Sequence, residues 1–274
     1  MSTDISSTPG AVDRTSDSRR IFGLSDILFY RIVSIAAVFA IWEIAGLIPI
    51  SVAFPTFSET MRALAEMTAD GRMVHAYAET LKPLGLGVLI SGVFGIAIGV
   101  SMGLNRLFQW MWEPIFVVLQ ASPVAALIPL ITYAYGIGLA AKTVAVIMLA
   151  APIIVLNTYK AVRNASPNLI QMCRSFQGTR LQEIWMVIIP NAAPVIFAGL
   201  RLGVAAGFIG VILAELLITP TGIGDLISYH RSVAEYAHMY AAVFSIIAFS
   251  AVMVGLLETV EIRYFRPEKR KNQK

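Results

Sequence analysis

Long runs without a charged residue constrain this chain more than any other feature. Pro83–Asn105, Pro114–Ala141 and Tyr236–Leu257 contain no charge at all. Lipid cannot satisfy free backbone N–H and C=O groups, and a helix needs about 20 apolar residues to cross a bilayer. Because 57% of the 274 residues are apolar and only 14% are charged, the sequence predicts an all-α membrane protein.

Three further runs are almost free of charge, so six transmembrane helices are predicted. Glu43 interrupts the first span, and Arg201 and Glu215 lie within the fifth. Pro123 and Pro129 should kink or break the third span. The predicted spans are Ile32–Ile50, Pro83–Asn105, Pro114–Ala141, Thr143–Tyr159, Asn191–Ile218 and Tyr236–Leu257.

The distribution of lysine and arginine predicts the orientation, since positively charged loops stay on the cytoplasmic side. With the N-terminus inside, fifteen basic residues fall in inner segments and five in outer ones. We therefore expect both termini in the cytoplasm of a multi-pass protein of the cell inner membrane. Residues 1–20 are rich in Ser, Thr and Asp and predict a disordered cytoplasmic tail, and 266–274 form a basic tail.

Between the tails, the chain divides into two predicted units. Residues 21–83 hold the first transmembrane helix and an external helical hairpin, in which Ser58 can cap a helix and Asp70-Gly71 marks a turn. Residues 84–265 form the core, with a cytoplasmic loop at 163–190.

Several kinds of chemistry have little support. One cysteine and three scattered histidines show no metal-binding spacing, so no metal site is predicted. The segment Gly136–Thr143 misses the phosphate-binding pattern by one residue, Ala141, and follows no β-strand. No bound cofactor, nucleic-acid surface or convincing catalytic set is expected. These observations favour transport over catalysis.

Charged residues near or inside spans each cost roughly 2.5–3.5 kcal/mol at a helix centre and call for a partner or a water-filled cavity. We predict that Lys142 pairs with Glu215, and that Arg201 faces an aqueous path and attracts an anion. The alternative for each is a structural bond. Ser122 and Pro123, at the predicted break, are further candidates for the translocation path or its gating.

Glycines recur four residues apart in spans two and five. Such spacing leaves a groove where another helix backbone can approach closely. The grooves serve either packing within the chain or a subunit interface or moving seam. They are Gly95, Gly99 and Gly103, and Gly199, Gly203 and Gly207.

The segment Ser166–Pro190 is unusually polar for this chain. Ser166 can cap a helix that starts at Pro167, and Gly178 lets the chain turn before a second short helix, Gln182–Ile189, which Pro190 stops. The first helix carries an apolar stripe with α-helical spacing, formed by Leu169, Met172, Cys173 and Phe176. The stripe predicts docking in a partner's groove, or contact with lipid or with its own bundle.

This segment, with NTYKAVRNASP before it and GLRLGVAAGFIGVILAELL after it, resembles the EAA loop of permease subunits in binding-protein-dependent ABC importers. The resemblance covers most of residues 80–265 and is greatest to the nitrate, sulfonate, taurine and bicarbonate class. Gln171 stands where the family usually has glutamate, Met172 and Cys173 where it has alanine, and Gln177 where it has glycine.

The resemblance implies a MetI-like permease fold and an ATP-driven importer of a small, anionic or sulfonate-like solute. Two permease copies would form the pore, ABC ATPase subunits carrying ATP and Mg would drive it, and an extracytoplasmic binding protein would deliver the solute. ATPase coupling would involve Pro167, Leu169, Gln171, Met172, Cys173, Arg174, Phe176, Gly178 and Arg180. The rival interpretations are an ATP-independent secondary transporter and a membrane-embedded enzyme.

Overall fold

The structure, a computed structural model, describes residues 20–21, 24–48, 53–218 and 220–265. The two predicted tails lie outside these residues, apart from Arg20. The described part is helical except for a minimal antiparallel pair, β1 (Arg20–Ile21) with β2 (Leu24–Ser25). The helices are α1 (Asp26–Leu47), α2 (Phe57–Ala69), α3 (Arg72–Leu104), α4 (Arg106–Ala121), α5 (Val124–Tyr135), α6 (Leu139–Arg163), α7 (Pro167–Ser175), α8 (Arg180–Gln182), a π-helical segment (Glu183–Ile188), α9 (Ile189–Leu217), α10 (Ile223–Ser232) and α11 (Tyr236–Phe265).

Five helical stretches in the described ranges are long and apolar enough to cross a membrane, and a bent pair makes a sixth candidate. The pair is α4 and α5, which meet at an angle of 102°. The third predicted span therefore corresponds to this bent pair, and the predicted break at Pro123 is confirmed. Pro129 lies inside α5 without ending it.

The directions of α3 and α6 show that α4 and α5 together make one crossing of the bundle. Along α3 and α6, Gly87 faces Val146, Gly95 faces Ile154 and Gly103 faces Val162, so the two helices run parallel. Parallel neighbours joined in sequence need a return crossing. The α4–α5 pair supplies that crossing, and the chain traverses the bundle six times.

Helix α9 packs antiparallel on α6, because Gly199 lies against Asn157 whereas Gly207 lies against Val146. Both glycine grooves thus receive helices of the same chain. In this structure the glycine grooves therefore serve packing within the chain, which was one of the predicted alternatives. A methyl group at Gly99 would lie 2.6 Å from Thr158 Cβ, which shows how close the α3–α6 approach is.

The remaining spans place both ends of the described chain on one side. Helix α11 runs antiparallel to α9, with Arg201 beside Glu258, and antiparallel to α1, with Phe39 beside Phe244. The start of α1, the end of α11 and helix α7 therefore share one end of the bundle, called here the α7 end. Helix α10 lies at the opposite end, called the α10 end.

At the α10 end, the hairpin before α3 differs from its prediction in two details. Thr56, not Ser58, caps α2, in a capping box with Glu59. Ser58 instead donates its N–H and its hydroxyl to Glu43, each at 2.9 Å, which provides a partner for the charge within the first span. Asp70-Gly71 forms the expected turn, but α3 begins at Arg72, so the predicted boundary at residue 83 falls inside a helix.

Candidate functional site

The polar segment between α6 and α9 stands at the α7 end. Helix α7 begins with Pro167, as predicted, and Ser166 occupies the N-cap position. The Ser166 hydroxyl makes no capping bond; its backbone N–H donates to Asn191 Oδ1 at 3.2 Å. Asn191, the third residue of α9, therefore fixes the start of α7 to the start of α9.

The predicted apolar stripe on α7 is exposed. Phe176 is 81% exposed, Met172 54% and Leu169 39%, while Cys173 is half-buried. An adjacent side of α7 packs through Ile170 against a small core that includes Val162, Ile188 and Ala192. Helix α7 is thus seated on its own bundle by one face and presents the stripe outward.

Three charged residues fasten this segment. The side chain of Glu183 is only 5% exposed and accepts from Arg174 Nε at 3.2 Å and from Arg174 Nη2 at 3.1 Å. Arg180 Nη1 donates to the same carboxylate. These hydrogen bonds raise the pKa of Arg174 above its usual value. Sequence reasoning noted these charges but missed their pairing, for which the three-residue spacing of Arg180 and Glu183 is a signal.

The turn after α7 is a Schellman motif, in which Gly178 N donates to Cys173 O at 3.0 Å and Gln177 N to Arg174 O at 2.9 Å. The residue with positive φ is Gln177, at 56°. Gly178, which was predicted to let the chain turn, lies in this turn but does not have the positive φ. Gly178 is required for space, since a Cβ there would lie 2.6 Å from Cys173 Sγ.

The prediction that Pro190 stops the second short helix is wrong. Helix α8, the π-helical segment and α9 form one helical stretch from Arg180 to Leu217. Proline in an α-helix clashes with the carbonyl four residues earlier. The wider π turn immediately before Pro190 gives the ring room, so the helix continues.

At the α10 end, the predicted ion pair is confirmed. Lys142 Nζ lies 2.9 Å from Glu215 Oε1, and the two side chains are 3% and 0% exposed. Thr80 Oγ1 lies 3.0 Å from both carboxylate oxygens, and Gly224 N donates to Glu215 Oε2 at 3.0 Å. Lys142 also donates to the backbone oxygen and the hydroxyl of Thr221, each at 2.9 Å.

This cluster joins α3, α6 and α9 to the loop that begins α10. Sequence reasoning missed Thr80, Thr221 and Gly224, because a hydroxyl or a backbone amide gives no signal in the sequence until the fold brings it to a charge. Each charge is paired and hydrogen-bonded, which is the condition for burying it. Neither Lys142 nor Glu215 lines an open path in this conformation.

Arg201 is placed differently from its prediction. Its Nη1 lies 3.0 Å from Glu258 Oε2, and its Nε lies 3.3 Å from Glu261 Oε2. Two carboxylates on α11 therefore compensate the guanidinium, which is 22% exposed. These contacts favour the structural bond that was the alternative for Arg201, and its attraction of an anion from an aqueous path stays a prediction.

Ser122 and Pro123 occupy the break between α4 and α5. Ser122 is half-buried and donates its hydroxyl to Val118 O at 2.8 Å, and Pro123 is exposed at the N-cap of α5. The structure brings neither residue to Lys142, Glu215 or Arg201. Their part in gating stays a prediction.

The described chain combines five helices and one bent pair that could cross a membrane with an exposed apolar stripe on α7 and a buried ion pair at the opposite end. These features fit a membrane transport component. The chain belongs to the family described as binding-protein-dependent transport system inner membrane component, whose model matches residues 92–266. The family is the permease part of ABC transporters, in which a separate subunit hydrolyses ATP. The predicted family, fold class and non-enzymatic role are thereby confirmed.

Related proteins include the taurine transport system permease protein TauC of Escherichia coli, 28% identical over 189 residues, which are 69% of this chain and 67% of that protein. The putative aliphatic sulfonates transport permease protein SsuC of Bacillus subtilis is 25% identical over 210 residues, or 76% of each chain. The nitrate import permease protein NrtB of Synechocystis is 26% identical over 231 residues, covering 81% of this chain and 84% of that one.

Solved structures show the same fold. One is an inward-facing MetNI methionine ABC transporter, with a TM-score of 0.57 and 19% identity over 72% of this chain and 97% of that chain. Another is an amino acid ABC transporter with histidines, with a TM-score of 0.59 and 17% identity over 74% of this chain and 97% of that chain.

Proposed function

We propose that α7 is the element through which a partner ABC ATPase drives this permease. The chain is a multi-pass inner-membrane permease whose family works with an ATPase and a binding protein. In our proposal two copies of the chain form the pore, and ATP and Mg are bound by the ATPase. A small anionic solute reaches the α10 end from an extracytoplasmic binding protein. The relatives named for taurine, sulfonates and nitrate support that solute class; Arg201 does not.

The observation that carries the proposal is the exposed stripe of Leu169, Met172 and Phe176. Full burial of one such side chain contributes roughly 1.5–3 kcal/mol, so seating three of them in a groove would contribute several kcal/mol to binding. Helix-in-groove recognition uses this spacing of apolar anchors along one face. The inner face of α7 is already occupied by Ile170 and its core, which argues against docking of the stripe on its own bundle.

A coupling helix must also transmit force, and the hydrogen bonds of Glu183 allow this. They fasten the turn after α7 to the start of the helical stretch Arg180–Leu217. A displacement of α7 would therefore move that stretch, which packs along α6. This supports a rocking motion of the spans as the response to ATP-driven closure of the partner.

We place the α7 end on the cytoplasmic side. The start of α1, the end of α11 and α7 share that end, so one topological measurement orients all three. The excess of basic residues in these segments supports the cytoplasmic assignment. The opposite end, with α10 and the α2–α3 hairpin, then faces the binding protein.

The docking proposal is tested by Met172→Gln/Phe176→Gln with a co-expressed ATPase. We expect this variant to lose co-purification of the ATPase and the stimulation of ATP hydrolysis by the binding protein, because both anchors become polar. The matched control is Val74→Gln, which makes the same kind of change at a 63% exposed residue of the α10 end. Retention of the ATPase by the double variant at the level of the control would refute the docking role of α7.

Orientation is tested with Cys173, the one cysteine of the chain. A membrane-impermeant maleimide should label it in inside-out vesicles, and only after permeabilisation in intact cells. Labelling of intact cells would place α7 outside and end the proposal. Val74→Cys in a Cys173→Ser chain should give the opposite pattern and controls for accessibility.

A further inference from the structure

The three histidines show no metal-binding pattern in the sequence, yet the fold brings two of them together at the α10 end. His230 ends α10, and His238 lies in the first turns of α11. Their rings stack with centroids 5.0 Å apart and planes at 18°. Glu235 Oε2 lies 2.8 Å from His230 Nδ1 and 3.9 Å from His238 Nδ1. The possible ligand atoms of these three residues all lie within 4.8 Å of one another.

The connection between α10 and α11 creates this proximity. Glu235 N donates to His230 O at 2.9 Å and Ala234 N to Arg231 O at 3.3 Å, a Schellman arrangement with Ala234 at φ 60°. The turn folds Glu235 back over His230. Helix α11 then begins at Tyr236, and one turn of helix brings His238 onto the same side as Glu235.

A further carboxylate faces the other ring nitrogen of His238. Glu66 on α2 has its Oε2 at 3.5 Å from His238 Nε2. The cluster therefore offers two imidazoles and the Glu235 carboxylate as metal ligands, and Glu66 can accept the His238 Nε2 proton when Nδ1 coordinates. Both glutamates are more than half exposed, so an ion and its water can enter from the surface, while His230 is fully buried.

From this geometry we infer that His230, Glu235 and His238 form a binding site for a divalent transition-metal ion of the zinc class, with Glu66 orienting the His238 ring. Imidazole nitrogens with a carboxylate suit Zn²⁺ and its neighbours, whereas Mg²⁺ and Ca²⁺ prefer oxygen ligands alone. Bound metal would cross-link the end of α10 to the start of α11. The inference is independent of the proposed coupling role of α7.

One feature limits the affinity. Coordination through Nδ1 leaves the imidazole proton on Nε2, and Nε2 of His230 is buried without a hydrogen-bond partner among the described residues. Loss of such an outer-shell partner weakens metal binding by about 10–100-fold. We therefore expect reversible binding, weaker than at a structural zinc site.

The test uses the full chain in lipid nanodiscs, purified with an affinity tag that contains no histidine. Zn²⁺ titrated by calorimetry should bind at one site per chain, Co²⁺ should give the visible spectrum of a tetrahedral or five-coordinate site, and Mg²⁺ should not compete. His238→Gln and Glu235→Gln should each weaken Zn²⁺ binding at least about 10-fold, as loss of one ligand requires.

His75→Gln is the matched control, because His75 is exposed on α3 and lies outside the cluster. It should bind Zn²⁺ like the unaltered chain. His238 and Glu235 are chosen over the buried His230 so that the variants fold, which helical circular dichroism checks. Absence of saturable Zn²⁺ binding, equal competition by Mg²⁺, or equal losses in His75→Gln and His238→Gln would each overturn the site.

Discussion

Removal of the Lys142 ammonium gives the sharpest test of the buried Lys142–Glu215 ion pair at the α10 end. In Lys142→Met the Glu215 carboxylate keeps its bonds from Thr80 and Gly224 but loses its only counter-ion among the described contacts. Breaking a buried ion pair by removing one partner costs about 3–5 kcal/mol, because the other charge stays buried without compensation. We expect a loss of this size in the free energy of unfolding.

The chain offers a control with the same chemistry and a different environment. Lys82 Nζ lies 2.6 Å from Glu79 Oε1, closer than the buried pair, but its side chain is 61% exposed. Exposed pairs contribute about 0–1 kcal/mol, so Lys82→Met should lose little. The difference in stability loss between the two variants reports the effect of burial, because the substitution is identical. The shorter distance of the exposed pair would by itself predict the larger loss for Lys82→Met.

The assay is equilibrium unfolding in mixed micelles with an increasing fraction of denaturing detergent, followed by helical circular dichroism. Lys142→Met/Glu215→Gln should recover part of the loss, because a neutral amide still accepts from Gly224 without an unpaired charge. Equal losses in Lys142→Met and Lys82→Met, or no recovery in the double variant, would refute the reasoning. The reversed pair, Lys142→Glu/Glu215→Lys, should likewise be more stable than either single reversal.

Two further substitutions have controls within their own helices. Gly99→Ala should lower the free energy of unfolding by about 1–3 kcal/mol through overpacking, since the new methyl would lie 2.6 Å from Thr158 Cβ; Gly85→Ala, with no atom within 4 Å, should gain about 0.5–1 kcal/mol from helix propensity. If Gly99→Ala were as stable as Gly85→Ala, or more stable, the close packing at Gly99 would be contradicted. Gln177→Gly should stabilise the end of α7 by roughly 1 kcal/mol because of its φ of 56°, whereas Gln171→Gly inside the helix should lose about as much. Amide hydrogen exchange in α7 measures both, and slower exchange in the second variant would contradict the assignment.

The parts of the fold that follow from the character of a run of residues could be predicted. Uninterrupted apolar runs identified the spans, and the Ser-Pro pair with its stripe identified α7, because both depend on composition and period alone. The Lys142–Glu215 pair could also be proposed, since two charges at similar depth in lipid have few other partners.

The details that were predicted wrongly or missed have a different origin, because each depends on local geometry that competes with a residue's usual preference. Pro190 usually ends a helix, but a π turn accommodates it. A residue with a positive φ at the end of a helix is usually glycine, but here it is Gln177. Gly178 is needed because a side chain there would collide with Cys173. Arg201 finds its carboxylates on α11, more than fifty residues away, and His230 meets His238 only through a turn centred on Ala234. A sequence without its fold contains no signal for such contacts.

The positions of the two ionic clusters bear on how a permease of this kind can move. Glu183 lies near the start of the helical stretch Arg180–Leu217 and Glu215 near its end, about 48 Å apart at 1.5 Å per residue. The first holds α7, and the second holds α3, α6 and the loop before α10. Between them the stretch packs closely on α6, so sliding at that seam would force atoms already in contact to overlap. A displacement applied at α7 should therefore turn this stretch together with α3 and α6 as one body. We expect the movement to be taken up at the 102° break between α4 and α5, where a candidate span of the described chain is interrupted.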